Sequence, residues 1–396
     1  MNALEFIFWI CLAVVFYTYI GYGIVLYLMV KVKELFCKEN DMSTPEAKSL
    51  PEVTLLIAAY NEEAVVEAKM TNCMALDYPK EKLKITWVTD GSNDHTNELL
   101  AGYSDVDVLY KPERQGKTAA LNRAMKYVKT PIVVFTDANT MINKEAIREI
   151  VNCFENSKVG CVSGEKRITI KEKDNAAGGG EGMYWKYESA LKRLDSRLNS
   201  AMGAAGELFA IRTELFEEMK SDTLLDDFIL SMRIVQRGYK IAYCTDAYAI
   251  EDGSADMYEE QKRKVRIAAG GLQSIWRLRS LLNVFNYGIV SFQYISHRVL
   301  RWSLTPLALF AMFPLNVLIV FCSTGVSHAL YVGLLLAQVI FYLTAYWGYV
   351  LSRKQIKNKI LYIPYYFVFM NVNVVKGIFY LKNKKGSGVW ERAKRA

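Results

Sequence analysis

VTLLIAAYNEEAVVEAKMTNCMALDYPKEKLKITWVTD, residues 53–90, decides the architecture. It opens on an apolar run, VTLLIAA (53–59), passes through NEEAVVEAKMTNCMAL with helical spacing, and closes on a second apolar run, KITWVTD (84–90). The alternation continues outward. NDHTNELLAGY leads to DVLY (107–110), and GKTAALNRAMKYV leads to IVVFTDA (132–138). Buried strands alternating with amphipathic helices predict βαβ units and a parallel sheet. Such sheets bind ligands beyond the carboxyl ends of their strands, where this sequence places Asn61-Glu62, Asp90 and Asp137.

The flanks have a different character. Residues 6–30 carry no charge and are long enough to span ~30 Å of hydrocarbon. Glu5 precedes them, and Lys31, Lys33 and Lys38 follow, which predicts a signal-anchor helix with its N-terminus outside and the next region in the cytoplasm. Residues 303–352 contain no Asp, Glu, Lys or Arg, and a Pro/Ser/Gly interruption predicts spans near 303–322 and 329–350. Between core and spans, 284–302 mixes aromatics with His297, Arg298 and Arg301 and reads as an interfacial helix. A further apolar stretch, 360–381, holds Asn371, Asn373 and Lys376; it is expected to lie in the interface or re-enter without crossing. Gly178-Gly179-Gly180 reads as a mobile loop. The chain divides as 1–38 anchor, 39–51 linker, 52–280 α/β domain, 281–302 interfacial helix and 303–396 membrane region with a basic tail.

Charge and cysteine usage exclude several classes. The chain has 396 residues and a net charge of +8. Residues 351–396 alone carry a surplus of ten positive charges, which leaves the remainder net −2. The α/β part is therefore no nucleic-acid binder, and the basicity is that of a membrane flank. Seven scattered cysteines form no CxxC and no disulfide pattern, and three distant histidines argue against a His-based zinc site.

Several stretches combine the residue types that nucleotide chemistry needs. Tyr60 and Glu62 follow the first strand, in a turn able to hold a base and ribose hydroxyls; Asn61 reads equally well as a helix N-cap. Asp90 can accept from a base N–H or merely form the Gly91-Ser92 turn. Arg114 and Lys117 surround Gly116 before a helix, where cations meet a diphosphate, without the spacing of a Walker loop. Asp137 ends a strand and is followed by Asn139. One carboxylate suffices for a cation that completes its shell with water and phosphate oxygens. Asp226-Asp227 stand in the apolar run LLDDFIL, where a desolvated carboxylate is a natural general base. Gln261 precedes the basic run Lys262, Arg263, Lys264 and Arg266, which reads as a solvated helix face or as a partner for phosphate.

In this order, with GAxGxxFAIR between the strand-end Asp137 and the acidic pair, the motifs resemble the membrane glycosyltransferases of family 2, including cellulose, hyaluronan and poly-N-acetylglucosamine synthases. SHRVLRW (296–302), IPYY (363–366) and VWERAKR (389–395) look like the bacterial branch. The resemblance implies a GT-A fold, a Rossmann-like mixed sheet in the cytoplasm with transmembrane helices at both ends. It implies a nucleotide-sugar site of Tyr60, Glu62, Asp90, Arg114, Lys117, Asp137, Gln261, Arg263 and Lys264. Asp137 and Asn139 would hold Mg²⁺ or Mn²⁺, with Asn139 standing where the family has a second Asp. Glu207 and Asp226 would contact the acceptor, and Asp227 would be the general base of an inverting transfer. Val265 stands where the family's QxxRW segment has Trp.

The expected reaction moves a sugar from a nucleotide sugar, a UDP-sugar, to a glycan or lipid-linked acceptor in cell-surface polysaccharide synthesis at the inner or plasma membrane. The alternatives are a polyprenyl-phosphate or lipid glycosyltransferase and, from another class, a catalytically silent nucleotide-sugar-binding scaffold. A transporter is disfavoured by too few spans and the missing Walker loop.

Overall fold

In the computed structural model, residues 3–36, 49–169, 176–254, 256–354, 356 and 359–383 are described. The predicted strands are present: β1 (Val53–Ala59), β2 (Leu83–Asp90), β3 (Val106–Lys111) and β4 (Ile132–Asp137). They pair in parallel in the order β3-β2-β1-β4. Helices Val66–Met74, Thr96–Ala101 and Lys117–Met125 connect them. Beyond β4 the sheet turns mixed. β7 (Leu208–Arg212) pairs antiparallel with β4 and with β6 (Val159–Thr169). β8 (Lys240–Asp252) runs parallel to β6, and the short β5 (Met141–Ile142) closes the eight-stranded order. β1 is buried on both faces, as the continuous run of apolar residues requires. Leu55, Ile57 and Trp87 belong to one core, and Leu56, Val88 and Phe135 to the other. The side-chain period of two thus splits each strand between two layers.

Among the described residues, three helices are long and apolar enough to cross a membrane: Ala3–Phe36, Leu304–Cys322 and Gly325–Arg353. The first contains a π turn at Tyr17–Gly21. Before it, Phe8 packs with Met312, Ile319 and Tyr331 of the other two spans. After it, Tyr22, Leu26 and Val30 pack on Leu191 and Leu198 of helix Ala176–Leu198. The stretch at 360–381 forms helix Lys359–Asn383, packed on Met257–Arg277 and Gly325–Arg353 with Asn371 and Asn373 buried. The segment 389–395 and residues 384–396 of the basic tail lie outside the described residues, as do residues 39–48 of the linker.

Three expectations need correcting. Gly178–Gly180 lie inside helix Ala176–Leu198 rather than in a loop; the packing of its C-terminal half offsets a helix-propensity cost of about 1 kcal/mol per glycine. Asn61 caps no helix. The next helix starts at Val66, and Asn61 instead adopts φ +54 and exchanges hydrogen bonds with Asn93. Residues 284–302 form no single helix. They fold as a single turn, Val284–Tyr287, and, past the break at Gly288, a continuous helix over 289–302 with a π turn at Ile295–Val299; His297, Arg298 and Arg301 are buried in protein.

Two glycines separate backbone strain from packing. Gly203 (φ +94) and Gly238 (φ +90) both adopt the left-handed region. A Cβ at Gly203 would lie 2.2 Å from the Phe228 ring, whereas nothing lies within 4 Å at Gly238. Gly238→Ala therefore costs roughly 1–2 kcal/mol of backbone strain. Gly203→Ala adds overpacking of about 1–3 kcal/mol, so thermal unfolding of the detergent-solubilised chain should show the larger drop for Gly203→Ala.

Candidate active site

The strand ends and one helix start converge. β1 delivers Tyr60, whose ring lies 3.7 Å from the Arg114 guanidinium. The Asn61–Glu63 turn is tied to the next loop: Glu62 N–H donates to Thr96 Oγ1 (2.8 Å) and Glu63 N–H to Asp94 (3.1 Å). β2 ends at Asp90, whose carboxylate accepts from the backbone N–H of Gln115 (3.0 Å) and Gly116 (2.6 Å). Asp90 thereby braces the loop that presents Arg114 and starts the helix at Lys117. Gly116, at φ +92, supplies the conformation that aims both amides at one carboxylate.

Lys117 reaches across to β4. Its ammonium donates to Asp137 at 2.6 Å and lies 3.9 Å from Asp226. Burial alone would lower its pKa, but Asp137 and then Asp226 raise it above the ordinary lysine range. Below Asp137, the fully buried Lys69 donates to the Thr140 carbonyl (2.6 Å) and to Thr136 Oγ1 (3.2 Å), which fixes the turn carrying Asn139. Burial lowers Lys69 to about 8.

Asp226 and Asp227 occupy the first turn of helix Asp226–Gln236, where the helix dipole favours carboxylates. Asp227 is nevertheless pushed up to about 7, first by burial and then by the adjacent Asp226, with Lys117 opposing. Glu207 behaves in the opposite way. Burial would raise it, but its ion pair with Lys166, which also bonds Glu251, holds it well below the carboxylate range.

A cavity of about 480 Å³ joins these groups. Of the sequence-predicted residues, Lys117, Asp137, Glu207, Asp226, Asp227, Arg263 and Lys264 line it. Tyr60, Glu62, Asp90 and Arg114 form a neighbouring cluster outside that lining, and Asn139 sits half-buried in the turn after Asp137. Gln261 is not brought in. It donates to Asn373 (3.3 Å) and lines a separate cleft of about 810 Å³. Residues two apart on a helix differ by about 200° in direction, so Gln261 and Arg263 cannot share a face. Arg263 and Lys264 both pair with the buried Glu260.

The residue set implied by the resemblance leaves out further lining residues. Arg266 follows Arg263 at i+3, and helical spacing alone puts it on the same wall. Trp302 presents its ring to the cavity and packs edge-on to Phe228 (5.1 Å). Glu188, Arg298 and Arg301 line it from helix Ala176–Leu198 and from the helix over 289–302.

A family model described as glycosyltransferase like family 2 matches residues 51–270, more than half of the chain. This chain belongs to that family. The family 2 domain runs from β1 into the helix that carries Arg263. It is 27% identical over 267 residues to poly-β-1,6-N-acetyl-D-glucosamine synthase of Staphylococcus aureus (strain COL), covering 64% of this chain and 62% of that one. It is 27% identical over 241 residues to β-monoglucosyldiacylglycerol synthase of Trichormus variabilis, covering 57% and 50%. The chain thus spans between half and two thirds of the length of these relatives. Among solved structures, a mannosyltransferase from Pyrobaculum calidifontis in complex with GDP-Man and Mn²⁺ superposes with a TM-score of 0.70 at 21% identity, over 97% of this chain and 100% of that one. The likeness is one of fold, and the family 2 domain is a GT-A domain.

The raised Asp227 has a consequence for stability. Its carboxyl binds a proton more tightly in the folded state, so the family 2 domain loses stability as pH rises from about 4 through about 7. Asp227→Asn removes that loss. The variant should melt above the wild type at pH 8, with the difference shrinking toward pH 4 in a thermal-unfolding series.

Proposed function

We propose that the protein is a membrane-bound inverting glycosyltransferase, moving a hexosyl or N-acetylhexosaminyl group from a nucleotide sugar, a UDP-sugar, to a hydroxyl of a glycan or lipid-linked acceptor. Asp227 carries this reading: a carboxylate poised near neutrality, in one cavity with the Lys117–Asp137 pair and with residues of the membrane-side helices. A base is most effective when its pKa lies near the working pH.

The residues divide the work. The stacked Tyr60 and Arg114, beside the loop braced by Asp90, suit a nucleobase and its ribose. Lys117, Arg263, Lys264 and Arg266 give the cavity cations that meet a diphosphate and offset the charge that grows on it as the glycosidic bond breaks. Asp227 takes the proton from the acceptor hydroxyl, which attacks C1 opposite the departing nucleotide and inverts it.

Among the described residues no three His, Cys, Asp or Glu side chains cluster as a metal site. The donor set at Asp137 is one partly exposed carboxylate and the Asn139 amide, both hard oxygens. That set fits Mg²⁺ or Mn²⁺ brought in on the diphosphate and completed by its oxygens. When bound there, the ion supplies Lewis-acid stabilisation of the leaving diphosphate. The relatives named above make a polysaccharide and a glycolipid. Both acceptor classes fit, and the apolar end of the cavity favours a lipid-linked one.

The protein is read as multi-pass in the cell membrane, its family 2 domain on the cytoplasmic side where Lys31 and Lys33 follow the first span. Helix Lys359–Asn383 is read as not crossing, because Asn371 and Asn373 are turned into protein.

Asp227→Asn keeps size and most hydrogen bonding. It should lower transfer by about 10²–10⁴-fold while leaving nucleotide binding near wild type. Wild-type rate should rise with pH through about 7. More than a tenth of the activity surviving in the variant would remove Asp227 from the role, and a wild type that releases UDP from none of the candidate donors would favour the silent scaffold. Separately, EDTA should inactivate the protein and Mn²⁺ or Mg²⁺ restore it. Asp137→Ala should weaken donor binding only when metal is present, as titration calorimetry can read.

A further inference from the structure

The membrane side of the cavity carries charge that the donor chemistry leaves unused. Lys192, Arg298 and Arg301 line it, only 4%, 7% and 6% exposed. Against them stands Glu188, whose oxygens lie 2.7 Å from Arg298 and 2.8 Å from Arg301, and which His297 also approaches at 3.3 Å. Asp195 behind it is taken up by His297, Tyr22 and Gln293. Lys192 forms no ion pair among the described residues. Arg301 spends Nη1 on Glu188, while its Nε and Nη2 are buried and have no hydrogen-bond partner among the described residues. Native interiors rarely leave such donors unmatched, and a buried cationic one is costly to leave so.

Its position says what would match it. The Arg298 guanidinium lies 5.9 Å from the ring of Phe228, the residue after Asp227. On the far side the cavity is walled by Ile363, Phe367, Met370 and Val374 of helix Lys359–Asn383 and by Tyr19 of the first span. A guanidinium fork with a free edge binds phosphate oxygens bidentately, and the apolar wall suits hydrocarbon.

We propose that this wall is the acceptor subsite for a lipid phosphate. The phosphate of a hydroxyl-bearing membrane lipid rests on Arg301, Arg298 and Lys192, its chains run past Phe367 and Met370, and its hydroxyl reaches Asp227. The inference rests on the glycosyltransferase reading and narrows its acceptor. In the transfer, the lipid oxygen bonds to sugar C1 as the C1–O bond to the donor diphosphate breaks. The electron pair leaves with the diphosphate, the proton passes to Asp227, and the lipid phosphate is unchanged.

Native mass spectrometry of the full chain in neutral detergent tests this with three probes. Phosphatidylglycerol has phosphate and hydroxyl, dioleoylglycerol has hydroxyl alone, and inorganic phosphate has no chain. Wild type should retain phosphatidylglycerol about tenfold more tightly than dioleoylglycerol. Arg301→Gln should erase that preference, and Arg301→Lys should keep part of it. Equal retention of the two lipids by wild type, which needs no variant to fold, overturns the proposal. So does an unchanged preference in Arg301→Gln, and displacement of the lipid by millimolar phosphate overturns its lipid part. Nucleotide-sugar binding by the same wild-type preparation is read separately: its absence defeats the glycosyltransferase reading and leaves the lipid-phosphate result standing.

Discussion

Charge taken out of water must be matched, and one ammonium does much of the matching here. Lys117 stands between Asp137 at the end of β4 and Asp226 at the start of a helix, so three elements meet at a single cation. The arrangement depends on Asp90, which holds the backbone before Lys117 by two amide hydrogen bonds. Asp226 has Lys117 within ion-pair distance. Asp227, one residue on, accepts from the Phe228 N–H (2.7 Å) but has no cation as near, and feels both burial and its neighbour's charge. The neutral-range carboxyl is thus a product of unequal sharing: one cation serves three carboxylates and serves the last of them least.

The parallel half of the sheet was legible because each strand there is a continuous apolar run that ends in a polar turn. Asp90 and Asp137 each close such a run, and the chain has no cheaper place for a carboxylate than a strand end. The mixed half was less legible. Val159–Thr169 and Lys240–Asp252 carry Lys166 and Glu251 buried inside strands, and only the three-dimensional pairing of Lys166 with Glu207 and Glu251 explains why these charges are tolerated.

The membrane-side charges escaped for a related reason. An aromatic stretch with His297, Arg298 and Arg301 looks the same whether its cations face lipid headgroups or a buried carboxylate. The deciding partner, Glu188, is more than a hundred residues earlier in the chain. Lys69 shows the opposite case. Val66, Lys69, Met70 and Cys73 share one face of a helix at i, i+3, i+4 and i+7, and the burial of that lysine could be read from spacing alone.

The π turn at Tyr17–Gly21 gives the first span two grips. An extra residue in one turn rotates everything after it by about 100° relative to a regular helix. The half before it is free to mate with the other spans through Phe8, while the half after it turns Tyr22, Leu26 and Val30 toward helix Ala176–Leu198. At the joint, the Tyr19 carbonyl accepts from Tyr187, and the Tyr19 hydroxyl donates to Asn371 of helix Lys359–Asn383. The candidate membrane-spanning helices and the family 2 domain are therefore geared through one helical defect. A tilt or rotation of this helix would be transmitted at Tyr19 to two walls of the same cavity, so the angle of the helix, which a bilayer of given thickness would set, becomes a variable of the cavity itself.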